Sequence, residues 1–127
     1  MLRERLGDGP QVLRDLSVSL NKLGDAESEA GRGEAALSAY RESLEIRRVL
    51  REQLGDGPQV LDDLATSLER CGAIGLTPLA QRRTFLAEAV ALREQLRAAI
   101  PTEHNDKRLS VALALQRQLD EPDGVST

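Results

Sequence analysis

LRERLGDGPQVLRDLSVSL occupies residues 2–20, and LREQLGDGPQVLDDLATSL occupies residues 50–68. Fifteen of the nineteen aligned positions are identical, 48 residues apart (50 − 2). Repetition on this scale is the mark of a solenoid, in which each supersecondary unit leaves one apolar face for its neighbour to cover.

The register extends outward from this phrase. NKLGD (21–25) aligns with ERCGA (69–73), which sets Gly24 against Gly72 and Leu23 against Cys71. YRESLEIRRVL (40–50) aligns with LAEAVALREQL (86–96) at an offset of 46 (86 − 40), so two residues are deleted between Gly72 and Leu86. A third start, LREQL (92–96), is followed by a different linker and then LSVAL (109–113), an echo of LSVSL (16–20). The chain divides into a partial unit 1–7, a unit 8–55, a unit 56–100, a partial unit 101–120 and a tail 121–127 without periodicity.

Each unit carries two helical stripes. After Pro10, the residues Val12, Leu13, Leu16, Leu20 and Leu23 recur at helical spacing. Gly-Asp-Gly-Pro ends the preceding helix and starts this one, because proline suits the first turn, where its missing N–H is not needed. Asp8 with Gln11 resembles a capping box. AGRGE (30–34) breaks the chain again, and Ala36, Ala39, Tyr40, Leu44, Ile46 and Leu50 form the second stripe. In the second unit Thr77 is expected as an N-cap with Pro78 as the first residue of a helix reaching Ala99, followed by a helix over about 103–119. These patterns predict an all-α fold, an α-α superhelix of antiparallel helix hairpins.

Composition narrows the function. Aromatic residues make up only 2% of the chain, so the core is built from aliphatic residues, which suits close-packed helices. Net charge is −4 and basic residues alternate with acids, which argues against nucleic-acid binding. No apolar run approaches the ~20 residues of a membrane span, so no membrane partner is expected. The first residues, MLRERLGDGP, lack the apolar stretch of a secretory signal, and the single cysteine excludes an internal disulfide. A cytoplasmic protein is the expectation.

The stretch LNKLGDAESEAGRGEAALSAYRESLEI (20–46) resembles a tetratricopeptide repeat. Leu20, Leu23, Gly24, Gly31, Ala36, Tyr40 and Ser43 match the family's signature positions. Glu27 replaces the usual aromatic, and Arg48 stands where shorter units have a helix-ending proline. The 48-residue period exceeds the ~34 of the standard unit and is similar to the longer repeats of the kinesin-light-chain kind. The resemblance implies a binding scaffold whose first helices line a concave groove for a peptide or helix. By matching position it implies partner-binding roles for Asn21, Lys22, Asp25 and Ser28, and for Glu69 and Arg70 in the second unit.

Candidates for chemistry are few. Cys71 occupies the slot of Leu23 and reads as a small core residue. His104 has no second histidine or cysteine at ligand spacing, so no metal site is expected. Asp62 and Asp63 are adjacent and point about 100° apart on a helix, which suits helix-end charge better than paired-carboxylate catalysis. GDGP lacks the lysine and spacing of a phosphate loop. No nucleophile–base set emerges, so neither catalysis nor a cofactor is expected. A protein-binding adaptor is the leading expectation. The alternative is a self-assembling structural module, possible as a homo-oligomer, or a fragment of a larger regulatory protein of the same repeat type.

Overall fold

Residues 9–120 are described by a computed structural model. Among them are five helices and no strand: α1 (Pro10–Glu29), α2 (Gly33–Leu54), α3 (Pro58–Ala73), α4 (Leu79–Ala99) and α5 (Glu103–Asp120). The partial unit 1–7, the Asp8 capping box and the tail 121–127 lie outside the described residues.

Local chemistry places the breaks. Gly9 and Gly57 hold nearly identical extended conformations (ψ 159° and 157°) just before Pro10 and Pro58, so the repeated phrase makes the same helix start twice. Gly31 (φ 79°) and Gly55 (φ 84°) adopt the left-handed backbone that lets α1 and α2 stop short, a conformation that strains residues bearing Cβ.

Each helix packs on the one before it and the one after it. The bonds between neighbours run in opposite senses: Tyr40 reaches Asp25, whereas Arg47, further along α2, reaches back to Ser17. Neighbouring helices are therefore antiparallel and alternate helices parallel. Arg14–Asp63 and Asp25–Arg70 step forward together along α1 and α3, while Arg41–Gln81 and Arg48–Glu88 do so along α2 and α4. Arg48, where a shorter repeat would place proline, makes a two-pronged bond to Glu88 that ties two units together.

The main core gathers Tyr40 and Leu44 of α2, Leu64, Leu68 and Cys71 of α3, and Leu92 and Leu96 of α4. Smaller clusters join α1 to α2 (Leu13, Ile46, Leu50) and α4 to α5 (Val90, Leu109, Ala112). Each fully buried leucine contributes about 1.5–3 kcal/mol. Two glycines set the closeness of the hairpins. Gly24 lies under the Tyr40 ring and Gly72 under Leu86, the repeat-equivalent contact.

Equal slots do not have equal burial. Cys71 is fully buried, but its counterpart Leu23 is 52% exposed. The preceding helix decides this: α2 covers that stripe of α3, and no described helix covers it on α1.

The deletion also has a definite form. α3 has 16 residues against 20 in α1, while the connection 74–78 has two more residues than 30–32. The loss of four and gain of two make up the two-residue difference. The early end of α3 frees carbonyls that need donors. Thr77 supplies one, its hydroxyl donating to the Cys71 carbonyl at 2.8 Å, and Arg82 Nε reaches the Gly72 carbonyl at 2.9 Å. Thr77 therefore closes α3 and does not cap α4; Pro78 occupies the cap position and α4 starts at Leu79.

Candidate functional site

The odd helices α1, α3 and α5 run parallel, and side chains of opposite charge bridge them in sequence. Arg14 meets Asp63 at 2.9 Å, Arg70 meets Asp25 at 2.9 Å, and Arg108 meets Glu69 at 3.5 Å. Asp62 and Asp63 diverge as adjacent helical residues must: Asp63 takes Arg14 of α1, and Asp62 takes Arg93 of α4. Their charges hold helices together.

The six residues expected to bind a partner fall into three groups. Asp25 and Arg70 are joined to each other, and the Tyr40 hydroxyl donates to the same Asp25 oxygen at 2.6 Å. Burial, and then the Asp25 carboxylate, push the Tyr40 phenol well above its ordinary pKa, so it remains a donor. Both members of the pair keep over two-fifths of their side-chain surface in solvent (43% and 42%). Asn21 and Glu69, which share one repeat slot, are both buried. Lys22 and Ser28 are exposed and make no side-chain hydrogen bond or ion pair among the described residues.

Beneath this surface lies a pair of residues that the sequence reading did not single out. Arg47 and Arg93 are repeat-equivalent (93 − 47 = 46), and both are buried, with 4% and 1% of their surface exposed. Arg93 grips Glu69 through two bonds, Nε at 2.9 Å and Nη2 at 3.1 Å, and also bonds Asp62 and the Thr66 hydroxyl. Burial works to lower its pKa, but the bonds and charges of Glu69 and Asp62 outweigh that and raise it. Arg47 donates only to uncharged oxygens: Ser17 Oγ at 3.0 Å, Ser67 Oγ at 3.0 Å and the Asp63 carbonyl at 2.9 Å. Burial lowers its pKa, and the nearby Asp63 charge opposes this without reversing it. In the first unit Asn21 stands where Glu69 stands in the second, and its buried Oδ1 has no hydrogen-bond partner among the described residues.

Among the described residues no three His, Cys, Asp or Glu side chains converge as a metal site requires. Cys71 is enclosed, and burial pushes its thiol up to about 11, away from thiolate reactivity. No described helix is long and apolar enough to cross a membrane. A hollow of about 510 Å³ lies along the outward side of α2, beside Leu76. The chain matches no family model, no curated protein and no solved structure.

Proposed function

We propose that this chain is a protein–protein interaction scaffold of the tetratricopeptide-repeat kind, acting in the cytoplasm. Its odd helices would form one concave face that receives a peptide or helix from a partner, without catalysis. The observation that carries the reading is the set of ion pairs linking α1 to α3 and α3 to α5, which fixes parallel helices side by side. Such a surface presents Lys22 and Ser28 directly. It also offers Asp25 and Arg70 as a half-exposed pair whose charges an incoming partner could take over. Exposed pairs of this kind are worth about 0–1 kcal/mol, so exchanging partners costs little.

The test is a selection of peptides from a random display library against the 127-residue chain. Charge reversal at Lys22 and Arg70 is expected to weaken the selected binders roughly tenfold or more. Reversal at Glu42, on the outward side of α2, is expected to leave them unchanged. Binders that respond only to Glu42 would remove the face assignment.

Self-assembly is the second reading, and a specific observation favours it. Val12 and Leu23 on α1 are 48% and 52% exposed, and at the other end Val111 and Leu113 on α5 are 52% and 39% exposed. A second copy stacked end to end would cover these stripes as α2 covers the equivalent one on α3. A monomeric mass by light scattering over a wide concentration range would exclude it, as would a dimer unaffected by Leu23→Lys.

A further inference from the structure

The two units contain the same cleft with different occupants. Each lies where one hairpin meets the first helix of the next, between equivalent residues: Gln11 and Gln59 on one wall, Leu50 and Leu96 on another. The repeat slot that differs in charge is Arg14 in the first cleft and Asp62 in the second. In the second unit Asp62 bonds Arg93, and Arg93 does not line the cleft. In the first, Arg14 turns to Asp63, and Arg47 lines a cleft of about 160 Å³.

The charges around the two arginines differ accordingly. Arg93 and Arg108 face Glu69 and Asp62, two cations against two carboxylates. Arg47 and Arg14 face Asp63, which lines the cleft and which Arg14 already holds, while Asp62 reaches Arg47 only through its field because it is bonded to Arg93; the slot of Glu69 is the neutral Asn21. Among the described residues, Arg47 Nη2 donates to nothing, while Nε and Nη1 are engaged. A guanidinium cannot escape burial by losing its proton. A buried charge is stable only when paired.

We propose that this cleft binds an external carboxylate, which takes the place at Arg47 that Asp62 takes at Arg93. The second unit thus shows, within one molecule, the chemistry of the missing occupant. Leu50, Leu54 and Val60 line the same cleft and select a short aliphatic stem behind the carboxylate. The volume agrees, because a cavity of about 150 Å³ holds a benzene-sized molecule. A free short-chain acid and the carboxyl end of a peptide share this chemistry. The cleft adjoins the Arg14–Asp63 pair at one end of the odd helices, but its binding of a carboxylate does not require that their face receive a partner.

The experiment is an amide-resolved NMR titration of the 127-residue chain with four probes. These are hexanoate, hexanamide, and acetyl-Ala-Ala-Leu with a free or an amidated C-terminus. One or both carboxylates are expected to shift the resonances of Arg47, Leu50 and Val60, while the amides leave them in place. Saturation by hexanoate alone identifies a free acid, and tighter binding of the free-ended peptide identifies a chain terminus. Arg14→Asp, which copies Asp62 into the first unit, is expected to abolish binding with helicity retained, because the protein then supplies its own carboxylate. Arg47→Gln is expected to abolish it as well. The proposal is overturned if the wild-type chain is silent to both carboxylates, if the amides bind equally well, or if folded Arg14→Asp binds as the wild type does.

Discussion

Gly24→Ala is expected to destabilise the protein, although alanine is the better helix former. A Cβ at Gly24 would sit 2.4 Å from Tyr40 Cε1, 2.6 Å from Cδ1 and 3.0 Å from Cζ. Carbon atoms at rest need about 3.5–4.0 Å, so the ring would have to withdraw by more than about 1 Å. It is poorly placed to do so: only 5% of Tyr40 is exposed, its hydroxyl is bonded to Asp25, and Asp25 is held by Arg70. Helix propensity favours alanine by about 1 kcal/mol. Overpacking in a filled core costs about 1–3 kcal/mol, and a tethered aromatic ring belongs at the upper end. The net loss is about 1–2 kcal/mol. In urea, followed by helical circular dichroism, the midpoint is expected to fall by roughly 0.5–1 M at constant slope. A double-mutant cycle isolates the cause. In a Tyr40→Leu background, Gly24→Ala is expected to become neutral or to stabilise by up to about 1 kcal/mol, a coupling of about 1–3 kcal/mol. Gly72→Ala is expected to follow the same course more mildly. Its Cβ meets Leu86 at 2.6 Å, a side chain that can change rotamer, and the Arg82 carbonyl at 3.3 Å. If Gly24→Ala raised the midpoint in the wild-type background, the close crossing of the hairpin helices would be wrong.

Arg93→Met strands the buried Glu69 carboxylate, and breaking such a pair costs about 3–5 kcal/mol; Arg108 at 3.5 Å keeps the loss at the lower end. The double variant Glu69→Leu/Arg93→Met is expected to recover most of it, and a single-variant loss below about 1 kcal/mol in urea unfolding would contradict the burial of the pair. At Cys71 the folded thiol titrates near 11 and the ordinary thiol near 9.0, so the unfolded chain loses its proton first as pH rises. Stability is therefore fully present below about pH 9 and declines up to about pH 11; thiol labelling at neutral pH is expected to be slow until urea opens the core. Rapid labelling of the native protein would refute this. Leu23→Ser is expected to change stability by no more than about 0.5 kcal/mol, against about 1–3 kcal/mol for Cys71→Ser, which denaturant midpoints will separate.

The last of these comparisons shows where reading a sequence reaches its limit. The helix starts at Pro10 and Pro58 and the turns at Gly31 and Gly55 are dictated locally, by residues that forbid or permit a backbone angle. They were legible for that reason. Leu23 and Cys71 share a slot, but their burial depends on whether a helix lies alongside, and a slot carries no record of that. The deletion between Gly72 and Leu86 was countable, whereas its division into a helix four residues shorter and a loop two residues longer depended on Thr77 and Arg82 finding the freed carbonyls.

The polar residues follow the same logic. Asp25 and Arg70 both read as exposed ligand-facing groups, and a side chain long enough to reach a ligand is also long enough to reach the next parallel helix. Arg47 and Arg93 did leave a signal: each is an arginine set among buried apolar residues, Ile46 and Leu50 in one copy, Leu92 and Leu96 in the other. On the facing helix, Arg14/Asp62 and Asn21/Glu69 give one arginine carboxylate partners and deny them to its twin, while Ser17/Ala65 and Val18/Thr66 exchange one hydroxyl partner for another. Because the backbone setting is shared, the contrast between the two arginines comes from those side chains. Substituting them singly into the first unit, beginning with Arg14→Asp, therefore measures how much each contributes to holding a buried guanidinium.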